Sequence, residues 1–335
     1  MTFGLEGLAS VDGWTLVSIV AKALGYAAAL LAMGGPLFLL AFASRSDHNP
    51  QGSGAANLHA RPVADACRAT TADKPISSAV RSAVAPDIVL LVRRLTAAAA
   101  LVGLLVLAMR FGIRAARISG MGMEAVTDPV MLGFVWQSPL GEAALWRGAG
   151  EALVLAILLP GIWGLGLASL GAVLIAVSYA FVGHSLGEPR WLLAGLLVVH
   201  LLAAAYWVGS LVPLRRVSRG PDGAVLLHRF GVIASGTVAL LIVVGVSFAW
   251  LLSGSPGALL GTAYGWTLLI KVGIVSMLLG LAALNKWRLV PALGRGEAGA
   301  DRTLRRSIAW EGAAVSLILL ATASLTTITT PPVNL

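Results

Sequence analysis

Two imidazoles, His184 and His200, lie on either side of a short connection between two apolar stretches. His200 opens the run HLLAAAYWVGSLVPLRR, which ends in a basic stop at Arg215 and Arg216. On an α-helix His200, Ala203, Ala204 and Trp207 share a face, because residues three, four and seven apart stack along it. The two alanines let another helix approach closely, so the ring is expected to point at protein and not at acyl chains. An ionisable group inside a span is costly and is a functional-site candidate by default; a hydrogen bond that holds two helices together is its plainer role. His184 sits where a helix ends, in YAFVGHSLG. If antiparallel neighbours bring it to His200, the two rings form the start of a transition-metal site; a ring that only faces water is the other reading.

Thioethers form a second set. Met121 and Met123 flank a glycine, with Met109 before them and Met131 after. Among biological metals such ligands prefer Cu(I), while anchoring at a membrane interface is the competing role. Met33 and Met277 fall deep in apolar runs, where packing is ordinary. Lys22, Arg147, Glu151 and Lys271 are placed at a depth similar to that of His200. Arg147 and Glu151, four apart, can pair on one helix face, and the two lysines can snorkel to the surface. Glu311 sits one turn into the last span, directly after LRRSIAW, within reach of Arg288, Arg305 or Arg306. No nucleotide-binding loop, Ser-His-Asp order or HExxH occurs, so no enzyme is expected. The single cysteine, Cys67, excludes an intrachain disulfide and any multi-cysteine metal site.

The elements that must hold these groups are membrane spans. The chain of 335 residues is 58% hydrophobic and 12% charged, with mean hydropathy +0.87. A water-soluble core of this size cannot absorb so much apolar sequence, and long helical runs exclude a β-barrel. The expected fold is an all-α polytopic bundle of about eight transmembrane helices, near 14–42, 88–112, 144–162, 164–184, 191–214, 230–252, 265–288 and 308–330. The net charge of +9 invites a nucleic-acid reading. The basic residues sit in short loops, however, so topology and lipid head groups account for them and no nucleic acid is expected. Three connections, after the first, fifth and seventh spans, hold seven, four and six of the 24 Lys and Arg. They are therefore cytoplasmic, and both termini are periplasmic. Arg110, Arg114 and Arg117 are the exception on the other face; either they continue a helix beyond the bilayer or they bind outer head groups.

Residues 43–87 read as a flexible cytoplasmic loop, in which His48, His59 and Cys67 match no ligand spacing. Residues 113–143 read as a periplasmic loop with one short helix in MLGFVW. Tryptophans near the span ends, such as Trp14, Trp136, Trp191 and Trp287, mark an aromatic belt. The acidic start of the chain, with Glu6 and Asp12, lacks a basic region before the first apolar run, so no cleavable signal is expected.

HLLAAAYWVGSLVPL resembles the hallmark segment of the copper resistance D family (CopD, also PcoD). SPLGEAALWR, GHS, HRFGVIASGTVALLIVVGV, YGWTLLIKVGIV, ALNKWRLVPAL and LRRSIAWEGAAVSLILLATASLTTITTPP follow the family's order over 138–332. The first two helices match in general character, and the loop at 43–87 looks like an insertion. The resemblance implies an integral protein of the bacterial inner membrane that passes copper from periplasm to cytoplasm, often with a periplasmic CopC-like copper protein. By position His184 and His200 match family histidines, and Trp207, Lys271 and Glu311 match recurrent family positions. The family often carries an acidic residue shortly before the helix histidine. Here that stretch is LLVVH, which leaves Glu151 as the carboxylate to substitute.

The expected function is copper import, with the ion captured by Met121, Met123 and Met131 and passed to His184 and His200. Glu151, Trp207, Lys271 and Glu311 would support that site. Two alternatives stand beside it. One is haem-b electron transfer, for which the five histidines fit at most one bis-histidine haem. The other is a module that senses copper or docks a copper chaperone without transporting.

Overall fold

The computed structural model describes residues 12–42, 84–182, 190–220, 223–253, 260–261 and 263–328. These residues form an all-α bundle. Seven helices are long and apolar enough to cross a membrane. The first, α1, is Gly13–Phe42. Its start is capped by Asp12, whose Oδ1 accepts from the Thr15 backbone N–H at 2.9 Å. Hydrogen bonds from Thr15 hold the Asp12 carboxyl below its usual range. α2, Pro86–Ser119, runs well past the expected end at 112. Alanine and arginine are good helix formers, so the helix stops only at Gly120, which takes φ 69°. The connection expected over 113–143 is correspondingly shorter. It holds a 3-10 turn, Gly122–Val126, and the short helix α3, Pro129–Trp136.

The expected third span begins earlier and ends sooner. α4 is Pro139–Val154, with Ser138 as its cap, and continues as a 3-10 turn, Leu155–Leu158. At sixteen helical residues it is shorter than the seven long helices. α5 follows as Gly161–Ser178, then α6 Arg190–Val217, α7 Gly223–Ser253 and α8 Ala263–Leu284. α8 opens into a π turn, Asn285–Leu289, and resumes as α9, Val290–Gly294. Pro291 supplies the reason, since it has no N–H for the carbonyl one turn back. The last helix, α10, is Ala300–Ile328.

α1 is the hub, packing against α2, α4, α5, α6 and α10. Small residues make the close crossings. A Cβ added to Gly34 would lie 2.2 Å from the Ala205 carbonyl oxygen, and one on Gly209 would lie 2.5 Å from the Gly34 Cα. α1 and α6 therefore touch backbone to backbone, as membrane helices do where no side chain intervenes. Gly150 and Gly171 do the same for α4 and α5, each approaching the other's carbonyl oxygen within 2.8 Å of a built Cβ. α7 rests on α6, and α8 on α10. Both expose most of their apolar surface, including Val243, Val246, Ile270 and Val272.

Gly13, Ser119 and Ile328 lie at one end of the bundle, here the termini end. Arg215 and Arg216 close α6 at the opposite, basic end. Arg229 joins them there, donating to the Ala41 carbonyl at 2.7 Å and lying over the Phe42 ring.

Candidate metal-handling site

His200 sits ten residues into α6, in its half nearer the termini end. Its ring is half-buried, and the buried Nδ1 has no hydrogen-bond partner among the described residues. Lys271 of α8 is the charged group that acts on it. The expected face is present, since Ala203 and Trp207 are both buried. His184 lies outside the described residues, as do His48, His59 and Cys67 of the loop at 43–87. Among the described residues no three of His, Cys, Asp and Glu come together to hold a metal ion.

The methionines separate into two groups. Met109 and Met123 line an open hollow of about 740 Å³ at the termini end, together with Trp14, Phe111 and Trp136. Met121 and Met123 are 53% and 73% exposed, so their sulfurs are reachable from outside the fold. Met131 is the third residue of α3 and half-buried; its backbone N–H donates to the capping Asp128 at 2.8 Å. It does not line the hollow. Met33 is fully buried among alanines of α1, α2, α5 and α6. Met277 is 55% exposed on the outside of α8.

Arg147 and Glu151 pair as their spacing predicts, at 3.0 Å and with almost no exposure. The guanidinium does more. Its Nη2 donates to the Gly25 carbonyl at 2.7 Å, its Nη1 donates to the Tyr179 hydroxyl, and it lies 4.7 Å from the Tyr179 ring centroid. One side chain thus ties α4 to α1 and α5. Glu151 is fully buried, and its Oε2 has no partner among the described residues. The carboxylate fits against α2 only because Gly103 has no side chain there; a Cβ would stand 2.3 Å from Oε1. Glu151 is thus spoken for by Arg147. Lys22 reaches toward the termini end, as a snorkelling lysine does, and donates to the Thr326 carbonyl at 2.8 Å. Lys271 is half-buried and acts electrostatically on His200.

Glu311 departs from expectation. Among the described residues it pairs with no arginine. Arg305 pairs with Asp301 at 2.5 Å, and Arg288 and Arg306 are exposed. The Trp207 indole N–H donates to its Oε2 at 3.3 Å and the Asn285 amide donates to its Oε1 at 2.5 Å. The π turn explains this, because it brings Asn285 inward, where it is buried. Asn285, Tyr179, Gly25 and Gly103 are the residues sequence reasoning missed. A lone Asn in an apolar run ahead of a proline was the available signal for the first. Nothing in the sequence distinguished Gly103 from the other glycines.

A helical bundle with long apolar helices, exposed apolar flanks and a few buried polar groups defines a multi-pass integral membrane protein. Two family descriptions then match along the chain. Copper resistance protein D matches residues 224–325, and the Copper resistance protein D-like N-terminal domain matches residues 12–189. The Copper resistance protein D of Pseudomonas syringae pv. tomato is 30% identical over 253 residues, covering 68% of this chain and 80% of that protein. The chain belongs to the copper resistance protein D family. The kinship takes in α1 and α2, which the sequence motifs alone tied to it only loosely. No solved structure matches the chain.

Proposed function

We propose that the chain carries copper inward across the bacterial inner membrane, with the termini end in the periplasm. The distribution of Lys and Arg supports this orientation, and family membership supports copper as the cargo. The observation that carries the reading is the buried Nδ1 of His200, which has no hydrogen-bond partner among the described residues. An imidazole nitrogen left without a hydrogen bond inside a membrane bundle is costly to keep, and a metal ion is a partner that repays it. Met121, Met123 and Met131 take the ion at the periplasmic mouth, where thioethers select the soft cuprous state. The ion then passes to His200, with His184 as second ligand. Lys271, which acts electrostatically on His200, opposes a resident cation there, so the site favours passage over storage. Trp207 lies two turns below His200 on the same helix face and leads to Glu311 and Asn285. A periplasmic CopC-like copper protein delivers the ion to the exposed methionines.

Copper content of the purified protein tests the site. The His184→Ala/His200→Ala variant is expected to bind less copper and to lose copper accumulation in cells. Unchanged binding and unchanged accumulation would refute the assignment. Binding without accumulation in the wild type would favour the docking or sensing role.

A further inference from the structure

The face of α1 that carries Ser18, Lys22 and Tyr26 meets the end of α2, where Arg110, Arg114 and Arg117 stand four and three residues apart on one face. All three arginines act electrostatically on Lys22. Arg117 donates to the Ser18 hydroxyl at 3.4 Å. Arg110 is half-buried, lies near Arg147, Tyr26 and Tyr179, and has no hydrogen bond among the described residues. Arg114 and Arg117 are exposed. The acidic groups within reach are few. Asp12 acts on Arg117, and Glu151 is taken up by Arg147. No described carboxylate acts on Lys22 or Arg110. Five cations therefore share two carboxylates, inside or beside apolar surroundings where like charges repel strongly.

We infer that Lys22, Arg110 and Arg114 form a binding site for the phosphate of an anionic phospholipid in the leaflet at the termini end. The donors suit it. Lys22 spends one N–H on Thr326 and keeps two. The Arg110 guanidinium offers a planar fork for phosphate oxygens, and Tyr26 stands one turn below Lys22 with its hydroxyl at 3.2 Å from the Thr326 hydroxyl. Arg114 and Arg117 continue the cationic stripe from this half-buried point out to the surface. A net negative head group is required, because a zwitterionic one brings its own cation. The site does not depend on copper.

The test uses the full chain purified in an uncharged detergent. Short-chain phosphatidylglycerol, phosphatidylcholine of the same chain length and inorganic phosphate are titrated separately while the thermal midpoint is followed. Phosphatidylglycerol is expected to raise the midpoint saturably, with the other two far weaker. Lys22→Gln and Arg110→Gln should each raise the half-saturating concentration by about tenfold, and Arg216→Gln, at the basic end, should not. If Arg110→Gln fails to fold, the exposed Arg114→Gln gives the same direction of change. Equal stabilisation by phosphatidylcholine, or unchanged binding in the Lys22 and Arg114 variants, would overturn the site. Stabilisation by inorganic phosphate with none from phosphatidylglycerol would assign it to a soluble oxyanion and overturn the lipid.

Discussion

The Trp207 indole N–H donates to Glu311 Oε2 at 3.3 Å and so joins α6 to α10 below the level of His200. Two residues that sequence singled out separately are one structural unit, completed by Asn285 of the π turn. Both donors are neutral, so the carboxylate is held by hydrogen bonds rather than by a cation. Trp207→Phe keeps the ring and removes the N–H. It is expected to lower stability by about 1–3 kcal/mol, the cost of leaving a buried acceptor unsatisfied. Thermal unfolding of wild type, Trp207→Phe and Trp207→Phe/Glu311→Gln reads it, and the tryptophan substitution should cost less once Glu311 is an amide.

Arg147 and Glu151 offer a sharper contrast. Arg147→Met leaves a fully buried carboxylate without its cation, a loss of about 3–5 kcal/mol. Replacing both residues by Met should recover much of that, because neither charge then remains uncompensated. Unfolding in detergent is the measurement, and a double variant no better than the single one would show that the Tyr179 and Gly25 contacts of Arg147 dominate.

The crossing of α1 and α6 admits no side chain. Gly209→Ala places a methyl 2.5 Å from the Gly34 Cα, so the helices must separate; overpacking of this kind costs about 1–3 kcal/mol. Gly209→Leu should abolish monodisperse protein on size exclusion. Gly236→Ala on α7, where a Cβ meets nothing within 4 Å, should behave as wild type.

Met121→Ala/Met123→Ala removes two reachable thioethers without touching the bundle. Cuprous affinity should fall on the order of tenfold or more, while the thermal midpoint stays within a degree or two of wild type, as for surface changes away from packing. Competition with a cuprous chelator gives the affinity. Met277→Ala, on the outside of α8, is the control and should change neither.

How much of this was legible beforehand follows from the kind of signal. Span positions were readable because about 20 apolar residues are a length requirement of the bilayer, and the Arg147–Glu151 pair was readable because its four-residue spacing is local. The partners of Glu311 are not legible in this way. The arginines nearest in sequence are the local candidates, whereas Asn285 and Trp207 reach the carboxylate only through tertiary packing. α2 outlasts its apolar run by seven residues, to Ser119, since charged residues stop a hydropathy run but not a helix. The backbone contact of Gly34 with Gly209 depends on a crossing geometry that no single segment encodes.

Copper flux into proteoliposomes tests the central claim most directly. Wild-type protein oriented with its termini outward should load the lumen with copper, and His200→Ala should reduce the initial rate by at least roughly tenfold while the fold and midpoint persist. A His200→Ala protein that transports at the wild-type rate would contradict the account.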